Sequence, residues 1–144
     1  MKVELIDTVL RSKAMIVSDP LEKGVFKAMV GFMHTKKGIG LAAPQIGIPL
    51  RFFVTDVPGD KPRLFINPEI SFRSEEKESA LEGCLSLPGK SASVKRAKKI
   101  HVAATDLKGR KFLLCCGGLL ARCIQHEYDH LDGILFIDKA GNND

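Results

Sequence analysis

Two histidines four residues apart, His126 and His130, constrain the fold most, because a glutamate, Glu127, directly follows the first. Four helical residues advance the chain by about 400°, so on a helix both imidazoles lie on one face and reach a single ion. An unligated carboxylate at the edge of that face can take a proton from water that the ion activates. The pattern predicts a helix with a catalytic metal site. Taken alone, it also fits charged side chains at chance spacing on a solvated helix.

The length and composition suit one compact domain, residues 1–144, with its own core, since 44% of the 144 residues are hydrophobic and 27% are charged. The N-terminus has no apolar run followed by a small-residue cleavage site, and no segment has the length to span a bilayer. We therefore expect a cytoplasmic protein without a membrane partner, or alternatively the mature chain of an organelle. Adjacent Cys115 and Cys116 and the ordinary hydrophobicity favour free thiols over disulfides.

The formal net charge of +5 comes partly from two basic runs that could favour an acidic partner such as RNA. Such runs more often line solvated strand edges. No aromatic residues are interleaved for base stacking, Trp is absent and Tyr occurs once, so specific nucleic-acid recognition is not predicted. The runs are Lys95, Arg96, Lys98 and Lys99, and Lys108, Arg110 and Lys111.

A first helix is predicted near the N-terminus, from about Pro20 to Lys36, ended by Gly38. The segment 19–22 combines an N-cap aspartate, a proline at the first helical position and a capping-box glutamate. Apolar residues then recur at helical spacing, and such a stripe is normally buried in the core. Its members are Val25, Met29, Phe32 and Met33.

Short segments rich in β-branched and aromatic residues, separated by turn signals, occupy residues 50–114 and predict antiparallel strands. A second helical pattern follows Gly117 and Gly118 and ends at Gly133. The predicted fold class is α+β, with antiparallel β-sheets packed around a C-terminal helix that carries the metal motif, and with one N-terminal helix. The predicted strands are Arg51–Asp56, Arg63–Ile66, Glu69–Arg73, Val94–Ala104 and Lys111–Leu114.

Two histidines leave a catalytic metal one protein ligand short, because such sites usually have three and keep one position open for water. Cys84 is favoured, because it follows a glycine in a turn or at a strand edge, where a backbone can approach a ligand closely. Cys123, three residues before His126, is the rival ligand, although a buried free thiol is the commoner role for such a cysteine. The other candidates are Cys115, Cys116, His34, His101 and the acidic residues.

Three segments together resemble the signature motifs of the peptide deformylases, in that family's order and at about its spacing. The similarity extends from about Leu10 to Asp138. It implies a metal-dependent hydrolase that removes the formyl group from the N-terminal formylmethionine of newly made polypeptides and releases formate. The segments are Gly38-Ile39-Gly40-Leu41-Ala42-Ala43-Pro44-Gln45, Glu82-Gly83-Cys84-Leu85-Ser86 and Gln125-His126-Glu127-Tyr128-Asp129-His130.

The resemblance implies that Cys84, His126 and His130 hold one divalent metal ion. Glu127 would then carry a proton from the attacking water to the departing amine. A thiolate and two imidazoles accept Fe(II), Zn(II), Ni(II) or Co(II). The family implies ferrous iron in the cell, with the other ions expected in purified protein and zinc a less active substitute.

The resemblance also implies how the substrate is held. The backbone N–H of Leu85 and the side-chain amide of Gln45 would face the oxyanion of the tetrahedral intermediate. The loop around Gly40 resembles a glycine-rich phosphate loop but lacks the following Lys-Ser/Thr pair, and in the family this loop contacts the peptide main chain. Candidates for the methionine pocket, each equally compatible with ordinary core packing, are Ile39, Leu119 and Cys123.

The implied partners are N-formylmethionyl peptides, met in transient proximity to the ribosome. The sequence after Gly133 does not continue into the C-terminal helix with which many bacterial members dock there, so stable docking is not expected. Two alternatives stay open: a zinc endopeptidase, and a degenerate module that binds formylated N-termini without turnover. The presence of Gln45, Leu85 and Glu127 argues against the degenerate module, because a purely structural site needs neither a proton carrier nor oxyanion donors.

Overall fold

The computed structural model describes residues 2–141 and contains two sheets and two α-helices. The strands are β1 (Gly40–Ala42), β2 (Phe52–Thr55), β3 (Arg63–Arg73), β4 (Lys77–Cys84), β5 (Leu87–Ala97), β6 (Lys99–Thr105) and β7 (Lys111–Gly117), and the helices are α1 (Val25–Thr35) and α2 (Gly118–Leu131). Five strands form an antiparallel sheet in the order β1-β2-β3-β6-β7, and β4 and β5 form a separate antiparallel hairpin. The predicted α+β class with antiparallel sheets is confirmed.

The core lies on both faces of the five-stranded sheet, because alternate residues of β2 point to opposite sides. On one face Phe53 and Phe65 stack with ring centroids 4.9 Å apart and belong to the same buried cluster as Ile124 of α2. On the other face Phe52 shares a cluster with Met29 of α1. Both helices therefore bury an apolar side against the same strands, as their periodicity predicts.

Helix α1 begins five residues later than predicted. Val25 is its first residue, and Gly24 before it has a left-handed φ of 86°. A left-handed residue interrupts the run of right-handed backbone that a helix requires, so the capping-box segment 19–22 does not start the helix and that prediction is wrong. The buried stripe is confirmed for Val25, Met29 and Met33, while Phe32 is partly buried.

Several strand boundaries differ from the predictions, because a strand extends only as far as it pairs with a neighbouring strand that is distant in sequence. Residues 94–104 do not form one strand: the chain bends at Lys98, whose N–H bonds the Glu76 carbonyl at 3.0 Å, and passes from the hairpin to the larger sheet. The two segments predicted within 63–73 are one strand, β3, with a register shift after Ile66. Strand β4 was not predicted.

Helix α2 matches its prediction at both ends. It starts at Gly118 and ends at Leu131, and Gly133 follows with a φ of 73°. A Cβ atom at Gly133 would lie 2.4 Å from the carbonyl oxygen of Arg11, so glycine is required there. Over residues 2–141, no helix has both the length and the apolar character needed to cross a bilayer.

Candidate active site

The structure brings Cys84, His126 and His130 together. Cys84 is the last residue of β4, next to a register shift in the hairpin, and both histidines lie on one side of α2. One ligating atom from each residue lies within 4.8 Å of the other two, and Sγ of Cys84 is 3.4 Å from Nε2 of His130. Two distant segments of the chain thus present a thiol and two imidazoles to one point.

The donors fit a divalent transition metal ion in chemistry and orientation. Nδ1 of His126 lies 2.9 Å from Oε1 of Glu82, and since an ionised carboxylate only accepts, Nδ1 carries the proton and Nε2 is available to an ion. Burial lowers the pKa of His130 to about 3, which keeps that ring neutral, as a ligand must be. Hydrogen bonds to Cys84 and Glu82 outweigh burial and raise the pKa of His126 to about 10, so metal uptake there displaces a proton.

Glu127 lies beside this cluster with its carboxylate buried. Burial raises its pKa from 4.5 to about 7, and Oε1 has no hydrogen-bond partner among the described residues. A Cβ atom at Gly40 would lie 2.5 Å from Oε2 of Glu127 and 2.8 Å from Sγ of Cys123. Glycine at position 40 therefore lets β1 pass directly over the carboxylate.

Gln45 is held with its amide group towards the cluster of Cys84, His126 and His130. It ends a short 3₁₀ turn, Ala43–Gln45, that follows β1. Its Oε1 accepts a hydrogen bond from the N–H of Ala42 at 2.8 Å, which leaves Nε2 to donate to Sγ of Cys84 at 3.5 Å and Oγ of Ser86 at 3.1 Å. Gln45 is fully buried, so these contacts fix its position.

The cavity beside the cluster has a volume of about 360 Å³. Of the ten residues singled out from the sequence, nine line this cavity, and His130 belongs to the cluster beside it. Sequence reasoning missed Leu81 and Arg122 in the wall. The helical spacing could have identified Arg122, since it lies one turn before His126 on α2 and therefore on the same side of the helix. Predicted residues in the lining are Ile39, Gly40, Gln45, Cys84, Leu85, Leu119, Cys123, His126 and Glu127.

Below the cluster lies a buried charge network centred on Glu82. Its carboxylate accepts hydrogen bonds from Nε and Nη2 of Arg96 at 2.8 and 2.9 Å and from Nη1 of Arg122 at 2.5 Å. Arg96 also bonds Asp129 of α2 at 2.7 Å, which in turn accepts from Lys139 at 3.1 Å. The expectation that the basic run at 95–99 is a solvated edge is wrong for Arg96, which is 4% exposed.

The other candidate ligands lie outside the cluster. Cys123 is buried and its thiol donates to the carbonyl of Ile39 at 3.4 Å. His34 pairs with Asp56 at 2.6 Å, and His101 packs against Phe72 on the sheet. All four cysteines are free, as the composition predicts.

The fold and the site define a class: α+β proteins in which a helix bearing His-Glu-x-x-His meets a cysteine from a neighbouring hairpin at a potential metal site. The family model for polypeptide deformylase matches residues 3–144. The chain belongs to the polypeptide deformylase family.

Individual relatives support this membership over nearly the full chain. The chain is 50% identical over 135 residues to peptide deformylase 1 of Clostridium perfringens, covering 92% of this chain and 91% of that protein. The crystal structure of peptide deformylase from Thermotoga maritima superposes with a TM-score of 0.91 at 41% identity and covers 97% of each chain. A peptide deformylase from Synechococcus elongatus, in complex with actinonin, gives a TM-score of 0.92 at 40% identity, covering 97% of this chain and 81% of that one.

Proposed function

We propose that this chain removes the N-formyl group from the N-terminal formylmethionine of newly made polypeptides and releases formate. The observation that carries the proposal is the convergence of the Cys84 thiol with His126 and His130 next to the buried carboxylate of Glu127. Membership in the polypeptide deformylase family supports the same reaction.

Cys84, His126 and His130 would hold one divalent ion, Fe(II) in the cell, with Zn(II), Ni(II) or Co(II) as replacements in purified protein. When bound, the metal lowers the pKa of water and polarises the formyl carbonyl. The thiol and the imidazoles supply three ligands, the number usual at catalytic sites that leave a position open. Glu82 does not belong to this set of ligands but orients one of them, because its hydrogen bond fixes the ring of His126.

Glu127 would act as the general base and then as the general acid. Burial raises the pKa of this carboxyl group from 4.5 to about 7 in the metal-free chain, which supports a role in accepting a proton from the attacking water and returning it to the departing amine. The free Oε1 is the atom for this task, since no described residue bonds it. Gly40 passes close to the other carboxylate oxygen, Oε2.

Gln45 and Leu85 would stabilise the oxyanion that forms when water attacks the formyl carbon. The Gln45 amide is oriented by its bond from the Ala42 N–H, and one of the two hydrogen bonds that Nε2 donates, to Cys84 or to Ser86, would be exchanged for one to the oxyanion. Leu85 directly follows Cys84 and lines the same cavity, which supports its backbone N–H as the second donor. Removal of one such donor typically lowers kcat by about 10²–10³-fold.

The substrate would lie across the cavity with its main chain along Gly40 and the methionine side chain towards Ile39, Leu119 and Cys123. These residues line the cavity. We assign the activity to one domain, residues 1–144, acting in the cytoplasm in transient proximity to the ribosome, on peptides and without specific nucleic-acid binding.

The assay that tests this proposal follows formate release from a formyl-Met-Ala-Ser peptide by anaerobically purified, Fe(II)-loaded protein, with the unformylated peptide and an internally quenched longer peptide in parallel. We expect formate from the formylated peptide and no cleavage of internal bonds. Cleavage of internal bonds would instead establish an endopeptidase. Stoichiometric binding without formate would establish a binding module.

A further inference from the structure

The metal-binding cluster is divided between two parts of the fold. Cys84 belongs to the β4–β5 hairpin, and the two histidines belong to α2. The hairpin forms its own sheet, and within residues 2–141 it shares no strand pairing with the five-stranded sheet. The distance from the thiol to the imidazoles therefore depends on the contacts that hold the hairpin against α2.

Arg122 makes three of those contacts. From its place on α2, one turn before His126, Nη1 donates to Oε2 of Glu82 at 2.5 Å and to the carbonyl of Val94 at 2.9 Å, and Nη2 donates to the carbonyl of Glu78 at 2.6 Å. Glu78 and Glu82 lie on β4 and Val94 on β5, so one guanidinium bonds both strands of the hairpin.

The same guanidinium fixes a residue that touches a ligand. Glu82 stands two positions before Cys84 and its other oxygen, Oε1, lies 2.9 Å from Nδ1 of His126. Arg122 thus acts on both halves of the cluster: on Cys84 through the β4 backbone, and on His126 through the Glu82 carboxylate.

We infer that Arg122 is a positioning residue that docks the hairpin on α2 and thereby keeps the Cys84 thiol within reach of the ion held by the histidines. This inference rests on the proposed metal site. The residue must be arginine, because its planar fork bonds three acceptors in fixed directions, whereas the lysine ammonium is a point donor on a flexible stem. Arg122 itself does not ligate the metal.

The experiment measures how fast a chelator removes Co(II) from the loaded protein, together with the thiolate-to-cobalt charge-transfer absorption. The variants are Arg122→Met, which keeps the apolar stem, and Arg122→Lys, which keeps the charge but loses the fork. Arg63→Met is the matched control, since Arg63 also makes a forked ion pair, with Asp60 at 2.7 and 2.9 Å, and does not line the cavity.

We expect Arg122→Met to release Co(II) at least about tenfold faster than the wild type, with a weakened charge-transfer band, because partners of metal ligands typically contribute 10–100-fold in affinity. The Co(II) release rate of Arg122→Lys should lie between those of Arg122→Met and the wild type. Arg63→Met should release Co(II) at the wild-type rate. If Arg122→Met does not fold, Arg122→Lys carries the test by the same comparison.

Release rates and absorption spectra that are the same in the Arg122 variants and the wild type would overturn the inference, as would equal acceleration by Arg63→Met. These readouts need no formylated peptide. A wild type that retains Co(II) but releases no formate would therefore refute the proposed activity without touching this result.

Discussion

Oε1 of Glu82 lies 2.9 Å from Nδ1 of His126, and Glu82 stands two residues before Cys84 on the same strand. One carboxylate thus connects the two segments that bring Cys84, His126 and His130 together. Arg96 and Arg122 compensate its charge, and this compensation lets an ionised glutamate remain buried at 7% exposure.

Glu82 should stabilise the fold only while it is ionised. Burial acts to raise its pKa, but hydrogen bonds from Arg96 and His126 outweigh burial and lower the pKa from 4.5 to about 2. Because the folded-state pKa is depressed, the stabilisation is fully present above about pH 4.5 and is lost as the pH falls towards 2. The loss should be on the order of 3 kcal/mol, at about 1.4 kcal/mol per pKa unit.

Denaturant unfolding of the metal-free protein at a series of pH values from 7 to 2 measures this effect. Glu82→Gln should be less stable at pH 7 and should lack the steep decline between pH 4.5 and 2. Parallel pH profiles for the two proteins would show that Glu82 does not carry the acid sensitivity.

Cys84→Ala should lose most of its metal, because it removes the thiolate and leaves only His126 and His130 as ligands. Cys123→Ala is the matched control: it removes a buried thiol that bonds Ile39 instead of joining the cluster, and should retain wild-type metal content. Elemental analysis of both variants, purified anaerobically, measures the metal bound per chain. Full metal content in Cys84→Ala together with loss in Cys123→Ala would reassign the ligand.

Gly40→Ala should reduce formate release without removing the metal. The added methyl group would lie 2.5 Å from Oε2 of Glu127, so the carboxylate must move, and a displacement of about 1 Å can cost about 10²-fold in rate. Gly31→Ala is the control, since that site on α1 is exposed with no atom within 4 Å. It should keep full activity and stabilise the protein by about 0.5–1 kcal/mol. Equal activity in the two variants would count against the placement of Glu127.

Cys115 and Cys116 should differ in reactivity although they are neighbours on β7. Cys115 is exposed, while burial raises the pKa of Cys116 to about 11. Since the thiolate is the nucleophile, iodoacetamide at pH 8 should modify Cys115 first, and labelling of Cys116 should increase as the pH rises towards 11. Fragment mass spectrometry of the labelled peptide distinguishes the two sites. Labelling of Cys116 at pH 8 as fast as that of Cys115 would contradict the burial of its thiol.

Local sequence patterns predicted secondary structure correctly where a segment's conformation depends mainly on its own residues. Glycines at both ends and the histidine spacing predicted α2, and the same helix carries two of the three proposed metal ligands. The predicted start of α1 was wrong, because Gly24 adopts a left-handed conformation and the helix begins after it, despite the capping pattern at residues 19–22. Strand β4 went unpredicted because its Lys-Glu-Ser start is exposed and shows no alternation of polar and apolar residues.

The buried charge network could not be predicted from local pattern. Arg96 looks like part of a surface run, and it is buried only because Glu82 and Asp129, 14 and 33 residues away, meet it in the fold. Such pairings depend on the docking of the hairpin onto α2. For Cys84, by contrast, two sequence signals agreed: the glycine before it favoured this cysteine over the other three, and the resemblance to a known family implied the same ligand.

Glu127→Gln tests the central claim most directly, with metal content and formate release from formyl-Met-Ala-Ser measured on the same preparation. The substitution preserves shape but cannot carry the proton, while the three ligands are untouched. We predict wild-type metal content and a fall in formate release of about 10²–10⁴-fold, the usual contribution of a general acid–base group. Undiminished formate release at equal metal content would contradict the proposed mechanism.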